Sequence, residues 1–396
     1  MKDEKKAPKL RFKGFTDDWE QCKLKNKAEI VRGASPRPIS NPKWFDDNSN
    51  VGWLRISDVT EQKGRIHHLS QHISKAGQSK TRVITEPHLL LSIAATVGSP
   101  VINYVNTGVH DGFLIFLNPT FNKEFMFQWL LMFKPYWNKY GQPGSQVNLN
   151  SDIVGNQSVA FPTTSEQERI ANFFSELDTA ITLHEEKKQQ LKCLKSALLQ
   201  KMFAYKSGYP AIRFEGFSDE WEQCKLGDVA DRFDNLRVPV IANLRKNGDT
   251  PYYGANGIQD YVDGYTHDGE YILVAEDGAN NLKNYPINYV SGRIWVNNHA
   301  HVLQAIPYLA STRFLGYEIG RSNIVSLLVG GGRAKLNADA LMNMNLNLPK
   351  IKEQELIADL FQKVEISITL QNYKLDKLKN LKSSLLKKMS PIARIN

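Results

Sequence analysis

The side chains best able to do chemistry in this 396-residue chain fall into none of the common catalytic frames. His67, His68 and His72 lie close together, and His68 and His72 have the i,i+4 spacing of paired helix ligands. No HExxH pattern and no cysteine companion goes with them. His299 and His301 form a second pair with the same deficit. Asn41-Pro-Lys-Trp44 comes near the Asn-Pro-Pro-aromatic element of adenine methyltransferases, but no cofactor-binding glycine motif accompanies it. Gly330-Gly-Gly-Arg333 offers flexible backbone without the GxxxxGK[ST] spacing of a phosphate loop. Nothing frames a nucleophile elbow. Asp277 with Asn280 and Asn281 suits carboxylate–amide metal chemistry and equally a polar loop that meets a partner.

A different chemistry stands out in the loops. Arg32-Gly-Ala-Ser-Pro-Arg37, with Ser35 between the arginines, is followed by Gln71 to Arg82, which carries Lys80 and Arg82. Lys139 to Gln146 then brings Gln142, Ser145 and Gln146. Later come Tyr252-Tyr253-Gly-Ala-Asn256, Glu276 to Asn281 with Asn280 and Asn281, and Gly330 to Lys335 with Arg333 and Lys335. Arginine, lysine, asparagine and glutamine are the side chains that reach base edges in pairs of hydrogen bonds, and glycine lets backbone approach a phosphate. A formal charge of +9 favours an anionic partner, and nucleic acid is the first candidate.

These loops need a mount, and internal repetition supplies two of them. Residues 10–24 (LRFKGFTDDWEQCKL) return at 212–226 (IRFEGFSDEWEQCKL), identical at 11 of 15 positions. Residues 161–203 return at 348–390 with an offset of 187 and 20 of 43 positions identical. The regions between, about 25–160 and 227–347, share little. We therefore expect a block at 1–24, a globular region at 25–160, a long helix within 161–206, a second block at 207–226, a second globular region at 227–347, a second long helix within 348–390 and a tail at 391–396.

In the long blocks Ile170, Leu177, His184, Leu191 and Leu198 fall seven apart, as do Ile357, Val364, Gln371, Leu378 and Leu385. Phe173, Ala180, Leu194, Leu360 and Leu381 fill intermediate rows. That is the spacing of long packed helices, each about 55 Å in length. Such a face needs a partner, and the other copy is the nearest one. Ser165 stands where a cap would begin the first helix. His184 and Gln371 either set the register of the pair or lie at the edge of its interface. The intervening regions read as mixed α/β. Strands are expected around Gly52–Val59, Gly112–Leu117, Glu270–Ala275 and Gly292–Asn297, with short helices at 122–134 and 302–313. In the aligned loops Gly144–Asn150 and Gly331–Asn337, Leu149 and Leu336 read as structural residues.

With 41% hydrophobic and 23% charged residues the chain has a core, and collagen-like or disordered classes are excluded. Cys22, Cys193 and Cys224 are too few and too scattered for a disulfide framework or a thiolate zinc site. No apolar stretch reaches membrane-span length. A cytoplasmic protein is expected.

The architecture resembles the specificity subunits of type I restriction–modification systems over nearly the whole chain. The carrying residues are Arg11-Phe-Lys-Gly-Phe15 with Trp19–Leu24, Arg213-Phe-Glu-Gly-Phe217 with Trp221–Leu226, Glu166–Ala171 and Glu353–Ala358. Thr250–Ile258, Gly269–Asn281 and Ile294–Ala300 also resemble a target-recognition domain of that family. The resemblance implies an α+β fold: two mixed α/β target-recognition domains held apart by two long antiparallel, coiled-coil-like helices, with an internal pseudo-two-fold repeat. It implies a non-catalytic subunit that reads a bipartite, asymmetric site in double-stranded DNA. Its partners would be two modification (methyltransferase) subunits and the restriction/translocase subunits, with no membrane. S-adenosylmethionine, ATP and Mg2+ would reside on those partners and no cofactor or metal on this chain. Rival readings are a standalone sequence-specific DNA-binding protein and a non-catalytic assembly scaffold. Substitution of Arg333 or Gln146 is expected to alter binding to one half-site only.

Overall fold

A computed structural model describes residues 7–140, 149–205, 207–330 and 334–389. The chain divides into two units, one built from Met1–Glu185 with Tyr373–Asn396 and the other from Glu186–Asn372.

In the first unit the early block and the start of the long block meet directly. Glu20–Lys23 pairs antiparallel with Ser158–Phe161, Glu20 standing opposite Phe161. Beyond this ribbon lies a five-stranded sheet in the order Glu29–Arg32, Phe113–Leu117, Leu89–Ser92, Pro100–Asn103, Arg65–Ile66, and a three-stranded sheet of Gly52–Trp53, Thr107–Val109 and Arg82–Ile84. The central strands are buried on both faces because side chains alternate between two cores. Leu89, Leu91, Leu114 and Phe116 face the helix Lys123–Phe133, whereas Leu90, Phe113 and Ile115 pack on Leu54, Val59 and Leu69.

The second unit repeats the plan with other parts. Glu222–Lys225 pairs with Asn345–Leu348, Glu222 opposite Leu348. Its six-stranded sheet runs Ala230–Arg232, Ala300–Ala305, His267–Ala275, Ile287–Val296, Asn247–Gly254, Gly257–Val262. Ile272, Val274 and Leu303 pack on the helix Thr312–Arg321, while Tyr271, Leu273 and Val302 fill the opposite face.

The two long helices are Thr164–Lys201 and Ile351–Met389, each contributing one segment to either unit. They pack against each other with opposite chain directions. In the first unit Phe173 and Leu177 share a core with Leu385, Leu386 and Met389, and Lys382 Nζ lies 2.5 Å from Asp178 Oδ1. In the second, Leu198 and Leu199 join Ile357, Leu360 and Phe361, and Lys195 Nζ lies 2.7 Å from Glu365 Oε1. Asp178 and Glu365, like Lys195 and Lys382, are repeat equivalents at the offset of 187. Ile170, Ile357 and Val364 are buried. Leu191, Leu378, His184 and Gln371 are half-buried, whereas Leu194 and Leu381 are exposed.

Three local expectations are corrected. Residues 302–313 are not one helix. Ala300–Ala305 is a sheet-centre strand, and the helix starts only after Ser311, whose hydroxyl accepts the Phe314 N–H. Gly52–Val59 is not one strand, because the helix Ile56–Glu61 begins three residues after Trp53. The first long helix is capped by Thr163, whose hydroxyl accepts the Glu166 N–H at 3.4 Å, rather than by Ser165. Leu149 and Leu336 are buried, as a structural role requires.

Candidate nucleic-acid interface

Each unit locks its early block onto a long helix through one buried carboxylate. Arg11 donates to both oxygens of Glu166 (Nε–Oε1 2.8 Å, Nη2–Oε2 2.7 Å), and Trp19 Nε1 adds a third donor at 3.1 Å. Arg213 grips Glu353 the same way at 2.8 and 2.8 Å. Both glutamates are 1% exposed or less. The next residue reaches sideways. Gln167 Oε1 accepts the N–H of Asn122, the cap of helix Lys123–Phe133, and Gln354 Oε1 accepts that of Ser311, the cap of helix Thr312–Arg321. Farther along, Gln128 donates to Asp178 (2.8 Å) and Tyr317 donates to Glu365 (2.8 Å). Two unlike domains therefore sit on equivalent helix segments in the same way. The family motif quoted from the sequence thus has a mechanical role that pattern reading alone did not assign.

From this mount one strand in each unit leads away to the polar loops. In the first unit Glu29–Arg32 ends in the 32–37 loop, which closes on the turn at Asp111. Arg32 Nε donates to the Asp111 carbonyl (2.6 Å), Ser35 Oγ to Oδ1 (2.7 Å) and Arg37 Nη2 to Oδ2 (2.6 Å). Arg82 Nε donates to the Arg32 carbonyl (2.8 Å), and Thr81 Oγ1 to that of Ala34 (2.6 Å). Gly33 permits this closure, since a Cβ there would lie 2.1 Å from the His110 carbonyl oxygen. Burial pushes the Asp111 carboxyl up, but Ser35, Arg37 and Arg32 outweigh it and hold the group below its ordinary value. Arg32, Ser35, Arg37 and Arg82 are thus brought together, with Lys80 exposed on the adjoining segment. Asp111 is the anchor that the sequence reading missed; His110-Asp111-Gly112 is its only local signal.

In the second unit Asn256 ties its hairpin turn to the 276–281 loop, donating to the Gly278 carbonyl (2.9 Å) and accepting the Asn280 N–H (3.0 Å). Asn281 accepts the N–H groups of Lys283 and Asn284. Tyr253 is half-buried in the strand before the turn, and its carbonyl accepts the Asn297 N–H. Lys335 Nζ sits 2.9 Å from Glu276 Oε1, and Arg237 Nη1 lies 2.7 Å from Oε2. Asp234 accepts from His301 Nδ1 (2.7 Å), whose Nε2 lies 2.9 Å from the Leu336 carbonyl. Asn256, Asn280 and Lys335 thus share one loop cluster, beside a cavity of about 210 Å³ lined by Asn256, Gln259, Asp277 and His299. Gln142, Ser145, Gln146 and Arg333 lie outside the described residues.

Asp234, Glu276 and His301 place ligand atoms within 4.8 Å of one another. Burial pushes both carboxyls up, but His301, the Val302 N–H and Arg237 outweigh it at Asp234, and Lys335, Arg237 and His301 outweigh it at Glu276, so both acids lie below their ordinary values. The cluster works as an ion-pair network that fixes the loops. Among the described residues no helix is long and apolar enough to cross a membrane.

Comparison with known proteins agrees with this geometry. A family model described as type I restriction modification DNA specificity domain matches residues 16–193 and again 218–380. A Haemophilus influenzae protein named as a type I restriction enzyme specificity subunit is 44% identical over 140 residues, 35% of this chain and 36% of that protein. The Escherichia coli EcoprrI type I specificity subunit is 22% identical over 373 residues, 90% of each chain. The crystal structure of the S subunit from M. genitalium superposes with a TM-score of 0.69 at 13% identity, covering 98% of this chain and 100% of that one. A chain from a structure of the assembling type I restriction–modification complex gives 0.52 at 15% identity, covering 95% and 98%. With two copies of the family's domain, two unlike loop clusters and two like mounts, the chain belongs to the specificity subunits of type I restriction–modification systems, the non-catalytic DNA-recognising components of those complexes.

Proposed function

We propose that each domain reads one half of an asymmetric, bipartite site in double-stranded DNA, and that two modification subunits dock on the duplicated helices. The first domain presents Arg32, Ser35, Arg37, Lys80 and Arg82, with Gln142, Ser145 and Gln146 assigned from sequence. The second presents Tyr253, Asn256, Asn280, Asn281 and Lys335, with Arg333 assigned from sequence. The observation that carries this reading is the pairing of unlike loops with like mounts. The Arg–Glu clamps and Gln caps repeat, whereas the Asp111 cluster and the Glu276 cluster share no residue pattern. Cationic side chains clamp phosphates and give salt-dependent affinity. Paired hydrogen bonds to base edges contribute about 1–3 kcal/mol of discrimination each.

Docking of two like partners is supported by duplicated exposed leucines. Leu183 and Leu370 are 60% and 52% exposed, Leu194 and Leu381 47% and 48%, and each pair is related by the offset of 187. Leu183 and Leu194 are eleven residues apart, three helical turns, and so share a face. S-adenosylmethionine, ATP and Mg2+ belong to the partner subunits, which carry out base extrusion, methyl transfer and translocation. The test is co-expression with the modification subunit in methylation-free cells and genome-wide mapping of N6-methyladenine. One motif in two blocks around a fixed gap is expected. Absence of methylation from an assembled complex with a competent modification subunit refutes the reading.

A further inference from the structure

In the second unit the chain that leaves the strand Ala230–Arg232 turns its apolar side chains outward. Leu236, Val238, Ile241 and Leu244 are all exposed, Ile241 by 64% and Leu244 by 67%. A single exposed leucine is ordinary, but several large aliphatic side chains on one short loop mark a contact surface. The loop is firmly tied. Arg237 joins its start to the polar loop cluster, donating to Glu276 (2.7 Å) and to the Ala300 carbonyl (2.8 Å). The Val238 N–H donates to the Val296 carbonyl, and Trp295 Nε1 donates to the Val238 carbonyl at 2.7 Å. The hydroxyl of buried Tyr252 accepts the Val240 N–H at 2.9 Å. Arg245, its guanidinium 4.1 Å from the centroid of the Tyr252 ring, closes the far end by donating from Nε to the Val240 carbonyl at 3.0 Å. Between these ties the Leu244 N–H donates to the Ile241 carbonyl and completes one 3-10 turn, a geometry in which side chains three apart eclipse. Ile241 and Leu244 therefore stand on the same side of a fixed tip.

Charge and continuity indicate what the tip meets. Arg237, Arg245 and Lys246 lie between Asn235 and Gly248 with no acid among them, and Lys246 is exposed two residues beyond Leu244. The loop springs from the Glu276 cluster, whose Lys335 and asparagines are the proposed readers of base edges. The apolar groups that an intact duplex offers beside those edges are the thymine C5-methyls of the major groove. Base faces are reached only by unstacking a step. We propose that Ile241 and Leu244 form an apolar contact for a thymine methyl in the half-site read by the second domain, so that this domain separates thymine from cytosine partly without hydrogen bonds. The loop in the same place in the first unit, residues 33–45 after Glu29–Arg32, exposes Ile39 alone among its large apolar side chains. The contact therefore belongs to one half-site. This inference rests on the DNA-reading assignment of the second loop cluster above.

The test uses the full chain assembled with its modification subunits and duplexes carrying the methylated site found by genome-wide mapping. Each thymine is replaced in turn by deoxyuridine, which lacks only the C5-methyl. Loss of one buried methyl is expected to raise Kd about fourfold at one thymine of one half-site. Ile241→Ala with Leu244→Ala should weaken binding to the thymine duplex by at least as much and bring the thymine/deoxyuridine ratio at that position to one. Ratios in the other half-site should stay as they were, and Ile241→Val with Leu244→Met should keep the discrimination. A ratio that survives in the double alanine variant, at an unchanged melting temperature, overturns the proposal, as does a site in which no thymine responds by twofold. So does 2-aminopurine fluorescence that rises on binding, away from the methylated adenine, in the unmodified complex and not in the double alanine variant, which assigns the pair to a wedge between bases. Failure of the unmodified complex to prefer any sequence removes the DNA-reading assignment itself, a distinguishable result.

Discussion

Deleting the carboxylate of Glu166 tests whether the block–helix clamp holds the first unit together. Glu166 is 0% exposed and takes three donors, two from Arg11 and one from Trp19, while the Arg11 side chain is 12% exposed. Glu166→Ala leaves a nearly buried guanidinium without its counter-charge, a loss of about 3–5 kcal/mol. With a urea m-value of about 2 kcal/mol/M, that moves the midpoint of the first unit down by about 2 M. Removing both charges at once, as in Arg11→Met with Glu166→Leu, leaves no buried ion, and at least half of the lost stability should return. The second unit supplies an internal comparison. Trp221 Nε1 is buried without a hydrogen-bond partner, so Glu353→Ala gives up one donor fewer and should fall short of Glu166→Ala by about 1 kcal/mol. Urea unfolding followed by amide exchange of residues 158–161 and 345–348 reads the two units separately. A shift under about 0.5 M for Glu166→Ala, or a double variant no more stable than the single one, refutes the argument.

Further expectations concern the loops. Gly33→Ala places a methyl group against the His110 carbonyl and should abolish discrimination at one half-site while leaving the other intact, as read by binding to half-site-scrambled duplexes. Asp111 has a depressed folded pKa, so its stabilisation is present above the unfolded value of about 3.9 and is lost as pH falls through the lower folded one. Amide exchange at Ser35 and Arg37 should accordingly rise only below about pH 4, and Asp111→Asn should show the raised rate already at neutral pH. Lys80→Ala should weaken binding to all sequences alike and reduce the slope of log K against log salt by about 0.9. A change confined to one sequence would instead make Lys80 a base reader.

The long helices and the duplicated blocks were legible because their signals are periodic or repeated. Spacings of seven and an offset of 187 survive in one dimension. What the sequence hid was contact between distant segments. The two repeat offsets of 202 and 187 gain their physical sense only when Glu20–Lys23 pairs with Ser158–Phe161 and Glu222–Lys225 with Asn345–Leu348. The equivalence of Gln128 with Tyr317 was invisible because the residue types differ and the spacing drifts to 189. Residues 302–313 misled because an apolar run at a sheet centre has no helical or alternating period when both faces are covered. In the candidate site, loop composition singled out Arg32, Arg37, Asn256 and Lys335. Of the two acids that hold Arg32, Arg37 and Lys335, Asp111 drew no notice and Glu276 entered only as the first residue of a polar loop, since isolated carboxylates are common on any surface.

The division of the helices between the units also sets an order of events during synthesis. The second unit is contiguous from Glu186 to Asn372, so every residue it needs has been made before Tyr373. The first is not. Leu386 and Met389 belong to the same core as Trp19 and Phe125, and Leu10 N–H bonds to the Lys388 carbonyl. A ribosome delivers those residues more than 180 positions after Glu185, so the part made first waits with an open core while the part made second can close. Until residues 373–389 emerge, Phe173 and Leu177 lack their apolar cover, and that interval is when the nascent chain is most exposed to aggregation.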